Sequence, residues 1–60
     1  MNEKERIKKA KREIDMLWNE AVYWSEREGE DSEQARCWAS RWVASSDMFF
    51  ILTGERYLSK

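Results

Sequence analysis

Apolar residues in the first half of the chain recur at alternating spacings of three and four. An α-helix has about 3.6 residues per turn, so this spacing collects side chains into one stripe on a helix face. We predict a first helix over about 3–28, with Asn2 as its N-cap and Glu5 completing a capping box. The stripe consists of Ile7, Ala10, Ile14, Leu17, Ala21 and Trp24, widened by Trp18 and Val22.

A second helix is predicted over about 32–53. Asp31 or Ser32 can cap its start, and Gly54 can supply the left-handed residue that ends many helices. A turn at 29–31 around Gly29 makes the two helices antiparallel, and a tail follows at 54–60. The predicted fold is therefore a single all-α domain, 1–60, with the architecture of an antiparallel helical hairpin. The stripe of helix 2 consists of Ala35, Trp38, Trp42, Ser45, Phe49 and Leu52.

Helix 2 has more apolar surface than one neighbouring helix covers. Its clearly polar arc is narrow and contains Arg36, Ser40 and Asp47. A helix that is apolar nearly all round belongs in a protein interior. We therefore predict that the hairpin assembles as a homodimeric four-helix bundle. The expected interface consists of two further strips, which supply Ala39, Val43 and Phe50 on one side and Ala44, Met48 and Ile51 on the other.

The size of the chain supports this prediction. A domain of 60 residues lies near the lower limit for folding alone and usually needs disulfides, a metal, oligomerisation or very good helix packing. Cys37 is the only cysteine and there is no histidine, so an intramolecular disulfide is impossible and a zinc site is not expected. Cys37 itself is expected to be a small buried apolar residue. One unpaired cysteine, the lack of a signal-like apolar stretch and the lack of a membrane-spanning run favour a soluble cytoplasmic protein.

Residues that would carry chemistry are scarce. Without histidine the commonest general base and metal ligand is missing, and there is no glycine-rich phosphate loop and no nucleophile elbow. We therefore expect no enzyme, no catalytic residues, no metal site and no cofactor. Asp47 is expected to be a solvated or ion-paired surface residue. The four tryptophans are expected to serve the core rather than to stack on nucleic-acid bases.

Charge is distributed unevenly between the two ends of the hairpin. Residues 1–13 hold six basic and three acidic side chains, a net charge of +3, and residues 20–33 hold six acidic and one basic, a net charge of −5. A basic cluster on helix 1 is suited to phosphate contacts, although the net charge of −1 for the whole chain argues against strong nonspecific binding to nucleic acid. Binding to a membrane is not expected. The basic cluster consists of Lys4, Lys8, Lys11 and Arg12.

Two helices of similar length, joined by an acidic turn near residue 30, resemble the Rop family of plasmid-encoded RNA-binding proteins. The resemblance covers the architecture and no motif, and it implies an antiparallel dimer of hairpins that binds paired RNA loops. This chain departs from that family in its tryptophan-rich core, so no RNA-binding residue is transferred. The function predicted first is a small interaction or regulatory protein that acts as a homo-oligomeric bundle and binds another protein. The alternative is an RNA- or DNA-binding dimer of Rop-like architecture that uses the basic cluster.

Overall fold

The computed structural model describes residues 2–58. Over this range the chain forms two α-helices and no strand: α1 is Glu3–Glu28 and α2 is Glu33–Thr53. The longest dimension of the molecule is 39 Å, which is about the length of α1 alone at 1.5 Å per residue. The helices therefore lie side by side, and the predicted helical hairpin is confirmed. Each helix covers nearly the range that its sequence pattern indicates.

Side chains and glycines at the helix ends explain where each helix begins and stops. The Asn2 side-chain oxygen accepts a hydrogen bond from the Glu5 N–H at 2.9 Å, and the Ser32 hydroxyl accepts one from the Ala35 N–H at 3.2 Å. Ser32 rather than Asp31 is thus the cap of α2. Gly54 has a φ of 74° and donates its N–H to the Phe50 carbonyl, which satisfies a carbonyl group of the last turn.

The core lies along the line where the two helices meet. The apolar stripe of α1 is buried or half-buried along its whole length, as predicted. In α2 the stripe is followed less closely, because Ser46 is buried while Leu52 is 76% exposed. An α-helix rotates by about 20° per heptad away from a strict seven-residue repeat, so late positions of the stripe turn off the contact line. The most buried residues are Ile14, Ala21, Ala35, Ser46 and Phe49.

The tail folds back onto the hairpin instead of extending away from it. We call residues 54–58 the strap. The Tyr57 hydroxyl donates to the carboxylate of Asp15, with its two oxygens at 3.0 and 2.9 Å, and the Ser46 hydroxyl donates to the Tyr57 carbonyl oxygen at 3.0 Å. The Tyr57 ring also lies 6.1 Å from the Phe49 ring, measured between centroids. The strap therefore contacts both helices and provides the partner of the buried Ser46 hydroxyl.

Candidate interaction surface

The two flanks of the hairpin, on either side of the line where the helices meet, differ in what covers them. One flank carries the strap, which is held by Lys11 and Asp15 of α1 and by Ser46 and Asp47 of α2; we call it the strap flank. The opposite side, here the open flank, has a groove of ≈ 590 Å³ between the helices near their free ends. Its apolar lining includes Ile7, Ala10, Ile14, Met48, Phe49 and Leu52.

Charged contacts tie the strap to its flank. The Lys11 ammonium lies 3.2 Å from the Glu55 carboxylate and 5.3 Å from the centroid of the Tyr57 ring. Arg56 lies 3.6 Å from the Asp47 carboxylate, and its guanidinium is 4.7 Å from the centroid of the Phe50 ring. Asp47 is thus an ion-paired surface residue, as expected. Lys11 is about one-third exposed and the other three side chains are more than half exposed, so each ion pair contributes about 1 kcal/mol or less.

The surroundings of Tyr57 change the protonation of its hydroxyl group. The hydrogen bond to the Asp15 carboxylate raises the pKa of the Tyr57 hydroxyl above 10.0, and desolvation and the negative charge of Asp15 act in the same direction. A phenol that donates to a carboxylate must keep its proton for the hydrogen bond to exist. The strap is therefore held in place by the neutral form of Tyr57.

The six residues predicted for the oligomer interface do not form one surface. Val43 and Phe50 are seven residues apart and lie on the strap flank, where Arg56 covers part of the Phe50 ring. Ala39 belongs to the same flank and lines a depression there beside Trp18 and Val22. Met48 lines the groove of the open flank. All six are exposed in the single chain. They form two separate strips on α2, one with Ala39, Val43 and Phe50 and the other with Ala44, Met48 and Ile51. The exposed polar residues Arg36, Ser40 and Asp47 lie between the two strips.

Cys37 is exposed, so its predicted burial is wrong for the single chain. It lies on the side of α2 that faces away from α1, in a shallow depression with Gln34, Trp38 and Arg41. The strap is held on the other side of α2, so it leaves this residue accessible.

The basic cluster is only partly available for contacts with a ligand. Lys4, Lys8 and Arg12 are exposed, whereas Lys11 is partly buried and pairs with Glu55. The spacing of the four residues along α1 still keeps them within one sector of the helix. A phosphate bound there would meet three uncommitted positive side chains and one whose charge is already balanced by the strap.

The four tryptophans are half-buried, and two of them meet across the hairpin. The Trp18 and Trp42 rings meet across the hairpin with centroids 4.8 Å apart, which supports their predicted place in the core. Trp24 packs edge-on against Tyr23 at 5.2 Å, and Arg41 lies 4.8 Å from the centroid of the Trp38 ring. All four tryptophans are half-buried, so part of each ring remains open to a second molecule.

Sequence reasoning missed the strap. The pattern of 54–58 resembles a polar tail, but Tyr57 is an aromatic residue placed just beyond a helix-ending glycine and flanked by charges of both signs. An aromatic side chain in that position can reach back to the helix it has left. That was the one available signal, and its partner Asp15 lies 42 residues away along the chain.

Comparison with protein-family models, with curated proteins and with solved structures finds no match to this chain. Within residues 2–58, no group of three or more cysteine or carboxylate side chains is arranged to hold a metal ion. Neither α1 nor α2 is both long and apolar enough to cross a bilayer. The exposed surfaces of the hairpin are therefore the features from which a function is inferred.

Proposed function

We propose that this chain is a small non-enzymatic interaction protein that forms a homo-oligomeric helical bundle, a dimer in the first instance, and binds another protein. The observation that carries this proposal is the exposure of large apolar side chains in the last turns of α2. Met48 is 54% exposed, Ile51 73% and Leu52 76%. Full burial of such a side chain contributes about 1.5–3 kcal/mol. A second molecule that covers two or three of them therefore gains a substantial part of its binding free energy from their burial.

The small core of the hairpin supports the same proposal. Among residues 2–58 the buried apolar residues are Ile14, Ala21, Ala35 and Phe49, and two of these four are alanines. A core of this size stabilises a 60-residue chain only weakly, and small domains commonly obtain the rest from oligomerisation. Dimerisation would extend the core by adding the half-buried tryptophans and the exposed end of α2.

A separate patch is available for a different protein. Met16 and Tyr23 are seven residues apart on the outer face of α1, and both are about half exposed. Arg27 lies 6.0 Å from the centroid of the Tyr23 ring. Aromatic, methionine and arginine side chains are enriched at protein interfaces, so this patch is the proposed contact for a partner of the assembled bundle.

Thermal unfolding at several protein concentrations tests the homo-oligomer. Association that requires the native fold raises the apparent stability with concentration. We expect the midpoint of unfolding, followed by circular dichroism, to rise steadily over a wide micromolar range. A midpoint that stays constant over that range would refute self-association and leave the apolar end of α2 to a different protein.

The alternative function is an RNA- or DNA-binding dimer that uses Lys4, Lys8, Lys11 and Arg12. The observation in its favour is that Lys4, Lys8 and Arg12 are exposed on neighbouring turns of α1. Binding to a nucleic acid through phosphate contacts weakens as salt increases. Titration of duplex and loop RNA at two salt concentrations, with Lys4→Glu and Lys8→Glu as variants, tests this function. Binding that is absent, or that charge reversal leaves unchanged, removes it.

A further inference from the structure

On α1 the side chains of the open flank increase in size from the free end toward the turn, whereas α2 has a large side chain at each end and a small one between them. On α1 the residues Ala10, Leu17 and Trp24 are spaced by seven and form one stripe, and on α2 the residues Trp38, Ser45 and Leu52 do the same. Near the turn both stripes present tryptophan, and near the free ends Ala10 and Leu52 line the groove. The open flank thus has a bulky half and a hollow half.

The two ends of the flank also differ in charge. The free end contains residues 1–13 with a net charge of +3, and the turn end contains residues 20–33 with a net charge of −5. The groove at the free end is lined by charges of both signs, Arg6 together with Glu3, Glu13 and Glu55, so the charge contrast is between the two ends of the hairpin as a whole. The opposite flank is already occupied by the strap, which spans Lys11, Asp15 and Asp47. A second molecule therefore meets fewer obstacles on the open flank.

We propose that the open flank is the surface on which a second copy of this chain packs, antiparallel, with the two turns at opposite ends and a twofold axis close to Leu17 and Ser45. The proposal rests on the homo-oligomer proposed above and specifies its interface. Rotation about that axis brings Trp24 of one copy opposite the partner's Ala10, and Trp38 opposite the partner's Leu52. Trp24 then faces the small Ala10 side chain and the groove beside it, the condition for interdigitated layers, while Trp38 faces Leu52 at the rim of the groove.

Charge favours the same arrangement. The antiparallel copy places the acidic turn end of each hairpin beside the basic free end of the other. A parallel copy would place the +3 ends together and the −5 ends together, with tryptophan opposite tryptophan and hollow opposite hollow. A second copy could reach the helices beneath the strap only if the Tyr57–Asp15 and Ser46–Tyr57 hydrogen bonds broke first.

Disulfide cross-linking tests the orientation. A Ser45→Cys substitution in a Cys37→Ser background places the single thiol of each copy next to the proposed twofold axis. We expect air oxidation to give a disulfide-linked dimer on a non-reducing gel. The wild-type chain is the matched control, because Cys37 is exposed but lies eight residues from position 45. The two Cys37 residues would then be about 24 Å apart along the bundle, far beyond the roughly 7 Å between Cα atoms that a disulfide allows.

A pair of charge substitutions tests which flank of the hairpin forms the dimer interface. Leu52→Glu puts a carboxylate into the proposed interface, and Val43→Glu puts one on the strap flank at a residue that is 48% exposed. A buried, unpaired carboxylate is costly, so Leu52→Glu should weaken dimerisation about tenfold or more while Val43→Glu leaves it near the wild-type value. The measurement is the mass by light scattering across a dilution series, and circular dichroism checks that both variants remain helical.

The outcomes separate this inference from the function on which it rests. A wild-type chain that is monomeric throughout refutes the homo-oligomer itself. A dimeric chain whose Ser45→Cys variant cross-links no faster than the wild type refutes the antiparallel arrangement. If Val43→Glu weakens the dimer as much as Leu52→Glu does, the open flank is not the interface.

Discussion

Tyr57 shows how one residue links the strap to both helices. Its hydroxyl bonds to Asp15 of α1, its carbonyl accepts from Ser46 of α2, and its ring lies near Phe49. Lys11 lies beside the ring, and Glu55, Arg56 and Asp47 complete the charged groups around the strap. The strap therefore depends on a phenol that keeps its proton, which gives it a pH dependence.

The Tyr57→Phe variant tests that dependence. Because the folded-state pKa of Tyr57 is raised above 10.0, its hydrogen bond contributes stability that is fully present below the ordinary tyrosine pKa of about 10. That contribution is lost as the pH rises through the folded-state pKa. We expect urea unfolding to show the wild type more stable than Tyr57→Phe at pH 8, with the difference shrinking above pH 10.

The two proteins differ only in the Tyr57 hydroxyl, so the difference between their stabilities isolates the contribution of the phenol. Tyr23→Phe, at an exposed position on α1, is the matched control and should follow the wild type. A Tyr57→Phe variant as stable as the wild type at pH 8 would show that the Tyr57–Asp15 hydrogen bond adds nothing to the stability of the fold.

The two isoleucines offer a matched comparison of burial. Ile14 is 3% exposed at the centre of the contact between the helices, and Ile51 is 73% exposed. Ile14→Ala should lower the free energy of unfolding by about 2–5 kcal/mol, since it removes buried methyl groups and leaves a cavity. Ile51→Ala should change it by about 0.5 kcal/mol or less. Chemical unfolding at low protein concentration measures both, and similar losses would contradict the packing described here.

At the scale of the helices, the capping residues could be predicted from the sequence because a cap contacts residues only a few positions away. Asn2 and Ser32 cap α1 and α2 through contacts three residues along the chain, and Gly54 ends α2 with a positive φ. The placement of Leu52 was not readable in the same way. A strict heptad predicts burial for Leu52, but the rotation of a real helix carries it to the rim of the groove.

The choice between the two candidate caps of α2 can be tested. Ser32→Ala removes the acceptor for the Ala35 N–H, and we expect it to cost about 1 kcal/mol of stability. Asp31→Ala changes the neighbouring polar residue outside the helix and should cost only a few tenths of a kcal/mol. Thermal unfolding of the two variants beside the wild type provides the comparison. A larger loss for Asp31→Ala would show that the cap is misassigned.

At the scale of the whole molecule, the sequence predicted the hairpin and the excess of apolar surface on α2 but not how that surface is divided. Helical periodicity shows which residues share a strip, and it does not show which strip the tail will cover. The contact between Tyr57 and Asp15 joins residues 42 positions apart, and no local pattern encodes such a pairing. Val43 and Phe50 thus lie on the strap flank and Met48 on the open flank, although all three were expected to belong to the oligomer interface.

Self-association remains the central prediction for this protein, and sedimentation equilibrium measures it most directly. The chain has a mass of 7.3 kDa. We predict that the wild-type protein sediments with about twice that mass at high micromolar concentration and moves toward the single-chain mass on dilution, as a reversible dimer does. A mass of 7.3 kDa at every concentration would contradict the account.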